Sequence, residues 1–169
     1  SADGQSLALA DGLNGRSGIV RIVDPATGII KNSWRAHADT IFDLEFSRDS
    51  TKLLTASGDK LVRVWDVATR QEIATLEGHT AQVLGASFNS NATQVISGGA
   101  DKQLKVWDIA TKERIITLGN HSAAITAVAL NTTGTRLITG SADKSVRVWN
   151  VEAAPAELKK QEGFAGPIV

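Results

Sequence analysis

The sequence predicts an all-β fold made of successive four-stranded antiparallel sheets, and two observations lead there. The first is a period. The three histidines, His37, His79 and His121, stand 42 residues apart. Trp65, Trp107 and Trp149 share that spacing, and so do Asp59, Asp101 and Asp143. In each unit the aspartate follows the histidine by 22 residues and the tryptophan follows the aspartate by 6. Three columns with one period mark an internal repeat. The second observation is residue type. Short runs rich in Val, Ile, Leu, Thr and Phe alternate with small and polar turn clusters, and nothing has the 3.6-residue period of an amphipathic helix.

In the unit that opens at His37, the innermost strand is predicted at Ile41–Phe46, before the turn Ser47-Arg48-Asp49-Ser50. The second strand is Lys52–Ser57, and Gly58-Asp59-Lys60 turns the chain into the third, Leu61–Asp66. Ala68-Thr69-Arg70 turns it again into the fourth, Glu72–Leu76. Adjacent apolar residues, as in Leu53-Leu54 and Ile115-Ile116, suit a sheet packed between two others rather than one open to water. The first unit is less regular. Ser6–Ala10, Ile19–Asp24 and Ile29–Trp34 read as its second to fourth strands, with a long glycine-rich turn from Asp11 to Gly18 and no innermost strand. Val23 stands in the tryptophan column, and Trp34 aligns with Leu76 and Leu118, so it is expected in the core. The expected division is 1–36, 37–78, 79–120 and 121–162, with 163–169 opening a further repeat or supplying a closing strand. In that last stretch Phe164 stands near the histidine column, and Ile168 and Val169 begin a strand.

Composition removes several functions. A chain of 169 residues with 42% apolar and 21% charged residues is globular and long enough for a buried core. Eighteen basic residues balance eighteen acidic ones, so no general attraction to nucleic acid or to an anionic membrane is expected. Cysteine is absent, which excludes disulfides, thiolate nucleophiles and Cys-ligated metals. No apolar run approaches the ~20 residues of a membrane span, and Ser1-Ala2-Asp3-Gly4 does not read as a signal peptide. The chain has no methionine and is expected to be a processed or excised piece of something longer; a cytoplasmic location is favoured.

A unit of this length, with Gly-His at one end and Trp-Asp near the other, resembles the WD40 repeat. Gly78-His79, Trp65-Asp66 and Trp107-Asp108 carry the resemblance, with Ala36-His37, Asn120-His121 and Trp149-Asn150 as conservative departures. The resemblance implies a β-propeller of four-stranded WD40 blades, about four of them here. Such a set could be part of a longer ring, half of a symmetric eight-bladed pair of chains, or a closed ring of four. It also implies a buried hydrogen-bonded tetrad per blade, running from the tryptophan indole through a serine to histidine and aspartate. His37, Ser57, Asp59 and Trp65 would form one, and His121, Ser141, Asp143 and Trp149 another. In the middle blade His79, Asp101 and Trp107 are present but Gly99 replaces the serine, so this network is expected to be weaker by about 1–2 kcal/mol.

Histidine beside aspartate and serine also invites a hydrolase reading. A catalytic set occurs once, however, whereas this one recurs in every unit, so no catalytic residue is expected. The three histidines each sit near their own aspartate and are not expected to share a metal; calcium loops and phosphate-binding glycine motifs are missing, so no cofactor is expected either. Asp43 and Glu45 on the innermost strand read as a local charge feature or a partner contact. The resemblance favours a protein-interaction scaffold, with a protein or peptide partner and a homodimer as one way to complete the ring. Asp39, Lys60, Gln82, Lys102 and Lys144 are the expected partner-binding face, the lysines forming a basic arc suited to an acidic or phosphorylated peptide. The alternatives are an accessory sensing or targeting domain of a larger enzyme and, less favoured, an enzyme using the central channel.

Overall fold

The computed structural model describes residues 1–12, 15–119, 121–131 and 133–150, and the backbone of 13 and 160–165. Among the described residues the only regular elements are strands, in four antiparallel sheets. The first holds β1 (Leu7–Leu13), β2 (Ser17–Val23) and β3 (Ile30–His37). The second holds β4 (Ile41–Phe46), β5 (Lys52–Ser57), β6 (Val62–Asp66) and β7 (Glu72–Leu76). The third holds β8 (Val83–Phe88), β9 (Gln94–Gly99), β10 (Gln103–Asp108) and β11 (Arg114–Gly119). The fourth holds β12 (Ile125–Leu130), β13 (Arg136–Ser141), β14 (Ser145–Asn150) and β15 (Lys160–Ala165). Each sheet is a meander in sequence order: within it, each strand pairs with the one before it.

The sheets stack face to face. β1 packs against β4, β4 against β8 and β8 against β12. Between each pair lies one apolar layer, because alternate residues of every strand point to opposite neighbours. Val20, Ile22 and Ala36 meet Ile41, Leu53 and Trp65 between the first and second sheets. Leu54, Val62, Val64 and Leu76 meet Val83, Phe88, Val95 and Trp107 between the second and third. Ile96 and Leu104 meet Ile125, Val128, Leu137 and Trp149 between the third and fourth. Trp34 is partly buried against the first layer, edge-on to Trp65 at 6.0 Å, and its indole N–H is buried without a hydrogen-bond partner. Among the described residues nothing covers the outward faces of the end sheets: Leu7 and Leu9 on one and Ile138 on the other are 45–47% exposed.

Two expectations about the chain need correction. The glycine-rich stretch Asp11–Gly18 is not a long turn, because strand pairing continues from Leu7↔Val23 to Leu13↔Ser17. The extra residues lengthen both strands of the hairpin and leave only 14–16 between them. At the other end, Gly163, Phe164 and Ala165 do not open a new repeat. They belong to β15, the fourth strand of the fourth sheet, with Val146↔Gly163 and Ser145↔Ala165 in register. The 42-residue period fails after Asn150: β15 begins 46 residues after β11. Ile168 and Val169 lie outside the described residues, as does Asn120.

Candidate functional site

Each of the last three sheets carries a hydrogen-bonded chain from a buried indole to a carboxylate. In the second, Trp65 Nε1–H donates to Thr55 Oγ1 (3.0 Å), which meets His37 Nε2 at 2.8 Å, while His37 Nδ1 lies 3.0 Å from Asp59. In the third, Trp107 Nε1–H donates to Ser97 Oγ (2.8 Å), which meets His79 Nε2 at 2.8 Å, and His79 Nδ1 lies 2.9 Å from Asp101. In the fourth, Trp149, Thr139, His121 and Asp143 repeat the pattern at 3.0, 2.8 and 2.9 Å. The aspartates also accept the amides of Ala38, Thr80 and Ser122, which ties the loop before each innermost strand to the turn between the second and third strands.

Ser57 and Ser141 are therefore not members of these chains, and Gly99 leaves no gap. The linking hydroxyl stands two residues earlier, at Thr55, Ser97 and Thr139. The reason is register. Leu53 lies opposite Trp65 and Thr55 opposite Arg63, so Thr55 is the diagonal neighbour of the indole. Ser57 is two residues further along the strand, about 6–7 Å away. Ser57 Oγ donates instead to the Thr40 carbonyl (3.0 Å) and accepts from the Asp59 amide (3.2 Å); Ser141 does the same with Ala124 and Asp143. At Gly99 a Cβ would lie 2.6 Å from the Gln82 carbonyl oxygen, so the glycine reflects close backbone approach. A sequence signal for the correct column exists: Thr55, Ser97 and Thr139 form an unbroken hydroxyl series with the same period, whereas Ser57, Gly99 and Ser141 do not.

Electrostatics follow from burial and these partners. Burial pushes the Asp59 carboxyl up, but His37 and the amides of Ala38 and Leu61 outweigh it and hold the group well below the usual carboxylate range. Asp143 is likewise held low: burial raises it, while Ser145, His121 and the Ser122 amide prevail. Burial pushes the His79 imidazole down, against the pull of Asp101. A neutral His79 suits the geometry, with Nδ1–H donated to Asp101 and Nε2 accepting from the Ser97 hydroxyl. No three side chains able to hold a metal ion converge among the described residues.

Asp43 and Glu45 bridge two sheets. Ala86 N–H donates to Asp43 Oδ2 and Phe88 N–H to Glu45 Oε2, both at 2.9 Å, so the second sheet's innermost strand supplies acceptors to the third sheet's innermost strand. Burial raises both carboxyl groups above their ordinary values. Beside Glu45, a cavity of about 500 Å³ opens near the turns after β4 and β8, with Arg48, Ser87 and Asn131 in its wall.

Of the expected partner-binding residues, Lys60, Lys102 and Lys144 are exposed and occupy the same turn of three successive sheets. Each has a left-handed backbone, with φ of 74°, 65° and 68°. This is the third position of a three-residue hairpin loop, where glycine is the usual occupant. None of the three ammonium groups has an ion pair among the described residues. Gln82 is exposed as well. Asp39 is engaged internally, accepting the amides of Gly15 (2.6 Å) and Thr40 (2.7 Å), which hold its carboxyl below the ordinary range.

Stacked four-stranded meanders with an indole–hydroxyl–imidazole–carboxylate chain in successive sheets define a repeat-built propeller. The profile described as "WD domain, G-beta repeat" matches residues 28–66, 70–108 and 112–150, so the chain belongs to the WD40-repeat family. The matched unit begins just before the last strand of one sheet and ends at the third strand of the next, offset from the sheets themselves. WD repeat-containing protein 1 of Xenopus tropicalis is 38% identical over 78 residues, covering 44% of this chain and 12% of that protein. The Denticleless protein homolog of Gallus gallus is 39% identical over 54 residues, 30% of this chain and 8% of that protein. Cell division cycle protein cdt2 of Schizosaccharomyces pombe is 42% identical over 45 residues, 27% of this chain and 9% of that protein. The chain thus spans about a tenth of the length of the curated relatives it matches.

Proposed function

We propose that this WD40 chain is a non-catalytic protein-interaction scaffold whose partner, an acidic or phosphorylated peptide segment, binds the face that carries Lys60, Lys102 and Lys144. The observation that carries this reading is three exposed lysines, without an ion pair among the described residues, in one turn of three successive blades. The His–Asp pairs beneath them are buried and committed to their own blades, which supports a role in holding the loops rather than in chemistry. Gln82 lies in the loop beside this arc. Asp39 supports the face from below, through its bond to Gly15.

The test is charge reversal on either face, with binding measured against acidic and phosphorylated peptide libraries. Lys60→Glu, Lys102→Glu and Lys144→Glu together are expected to abolish capture of acidic peptides. Arg70→Glu with Lys112→Glu, in the turns at the opposite face, is expected to leave it intact. The reverse pattern would overturn the choice of face.

A second reading rests on the uncovered end faces. A second copy of the chain is proposed to stack the Ile138 face of its last blade on the Leu7 and Leu9 face of the other's first, giving a two-fold pair of heterologous contacts.

A further inference from the structure

Every blade carries a cation at one repeating position: Arg21 in β2, Arg63 in β6, Lys105 in β10 and Arg147 in β14, each 42 residues from the next. Three of them have a carboxylate partner. Arg21 pairs with Asp11; Arg63 pairs with Asp59 at 3.3 Å and Glu72 at 3.2 Å; Arg147 stands 4.0 Å from Asp143. Lys105 has no ion pair among the described residues. Its ammonium makes one hydrogen bond there, to Gln103 Oε1, although the residue is only 2% exposed.

The second blade shows what is missing. There, Arg63 Nε donates to Thr75 Oγ1 at 3.3 Å, the Thr75 hydroxyl donates to Glu72, and Glu72 closes the triangle on Arg63. The same positions in the third blade are Lys105, Thr117 and Arg114. Arginine stands in place of the acid, so a charge-balanced cluster in one blade becomes two cations in the next. Thr117 lies opposite Lys105 in register, and its hydroxyl is buried with no hydrogen-bond partner. Arg114 is exposed and makes no ion pair among the described residues; its Nη1 is 4.0 Å from where a Cβ on Gly78 would stand. Burial pushes the Lys105 ammonium down, Asp101 pulls it up, and the Arg114 charge pushes it down by a smaller amount, so the two cations feel each other.

We propose that Lys105, Arg114 and Thr117 form an oxyanion site on the rim of the third blade that takes a phosphoryl group. Two cations match a dianion, whereas a single carboxylate leaves one of them uncompensated. A guanidinium presents two parallel N–H donors that fit phosphoryl oxygens. Exposed Arg114 forms the entrance. Lys105 and Thr117 supply the inner donors, the Gln103 amide turning aside from the ammonium as the anion enters. The source is either free inorganic phosphate or a phosphorylated side chain of a partner. The site shares no residue with the lysine arc, so it stands whether or not that face binds a partner.

The full chain is titrated calorimetrically with inorganic phosphate and with a phosphoserine peptide alongside its unphosphorylated and glutamate forms, at ionic strength held constant with chloride. At least one phosphoryl ligand is expected to bind. Arg114→Glu is expected to weaken that binding by about ten-fold or more, the loss of one charge-assisted contact. The same change restores the acid that Glu72 provides in the second blade, so it is also expected to raise the unfolding midpoint. Thr117→Val weakens binding, Lys105→Arg retains it, and reversal of Lys60, Lys102 and Lys144 leaves phosphate binding unchanged. Binding of the phosphopeptide alone assigns the site to a partner's side chain, and binding of free phosphate assigns it to the small anion. Equal binding of the glutamate peptide, binding insensitive to Arg114→Glu, or no binding of either phosphoryl form overturns the proposal.

Discussion

At Ser97 one hydroxyl serves two buried nitrogens, His79 Nε2 and Trp107 Nε1, both at 2.8 Å. Ser97→Ala leaves both without a partner, and a loss of about 2–4 kcal/mol in urea unfolding is expected. Ser97→Thr is expected to be near neutral, because Thr55 and Thr139 do the same work in the neighbouring blades. Gly99→Ser, which the sequence alone marks as a repair, is expected instead to cost about 1–3 kcal/mol through overpacking. Its Cβ would meet the Gln82 carbonyl at 2.6 Å. Equal stability of the Gly99→Ser and wild-type chains would refute that account. The pH dependence follows from the same groups. His79 has a folded pKa below its ordinary 6.5, so its contribution is fully present above that pH. It is lost as pH falls, because the unfolded chain then binds more protons. Asp59 and Asp143 are held below 3.8, so theirs is present above that value and lost as pH falls toward their folded pKa values. Stability is therefore expected to decline in two stages on acidification, and His79→Gln should remove the earlier stage. Urea midpoints measured across the range check both stages. The His, Asp and Trp columns were legible because each recurs with one spacing. The hydroxyl was misplaced because two serine-bearing columns lie two residues apart on one face, and only strand register separates them.

The strands themselves were legible wherever residue type and turn chemistry agreed, as in β4 to β7, whose observed bounds differ from expectation by at most one residue. They were not legible where glycine had two roles. Gly12 and Gly18 lie inside β1 and β2, paired across the hairpin, and a Cβ at either would come within 2.7 Å of backbone or side-chain atoms. Glycine there permits close packing and does not signal a turn. Asp43 and Glu45 were legible as unusual residues on an innermost strand, but their acceptors' partners lie in the next blade, which no local pattern reveals. Burial raises their folded pKa values above 3.8 and 4.5, so these groups favour the fold in acid and withdraw that support as pH rises through those values. Glu45→Gln keeps an acceptor for the Phe88 amide and drops the buried charge. At neutral pH it is expected to be neutral or stabilising by under ~1 kcal/mol, whereas Glu45→Ala is expected to lose about 1–2 kcal/mol. Thermal unfolding of the two variants side by side distinguishes charge from hydrogen bond.

Among the described residues, three apolar layers join four sheets and nothing covers the two outer faces. Leu9→Lys and Ile138→Lys change residues 45% and 47% exposed, so each is expected to leave the fold intact while suppressing any self-association. Sedimentation over a range of concentrations checks this, and a pair of chains that survives both changes would exclude the proposed blade-to-blade contact. The seams between blades are not equivalent, and the reason lies in the two carboxylates of β4. They hold the Ala86 and Phe88 amides across the seam between the second and third blades. One blade further on, the matching positions are Gly85 and Ser87, and a Cβ on Gly85 would lie 3.0 Å from the Val128 nitrogen. Among the described residues no carboxylate reaches across there. In hydrogen–deuterium exchange, Ala86 and Phe88 should therefore be protected out of proportion to their place on a sheet edge, while Val128 and Leu130 exchange early. The array would come apart first between its third and fourth blades, and Asp43→Ala with Glu45→Ala should move the earliest opening one seam back.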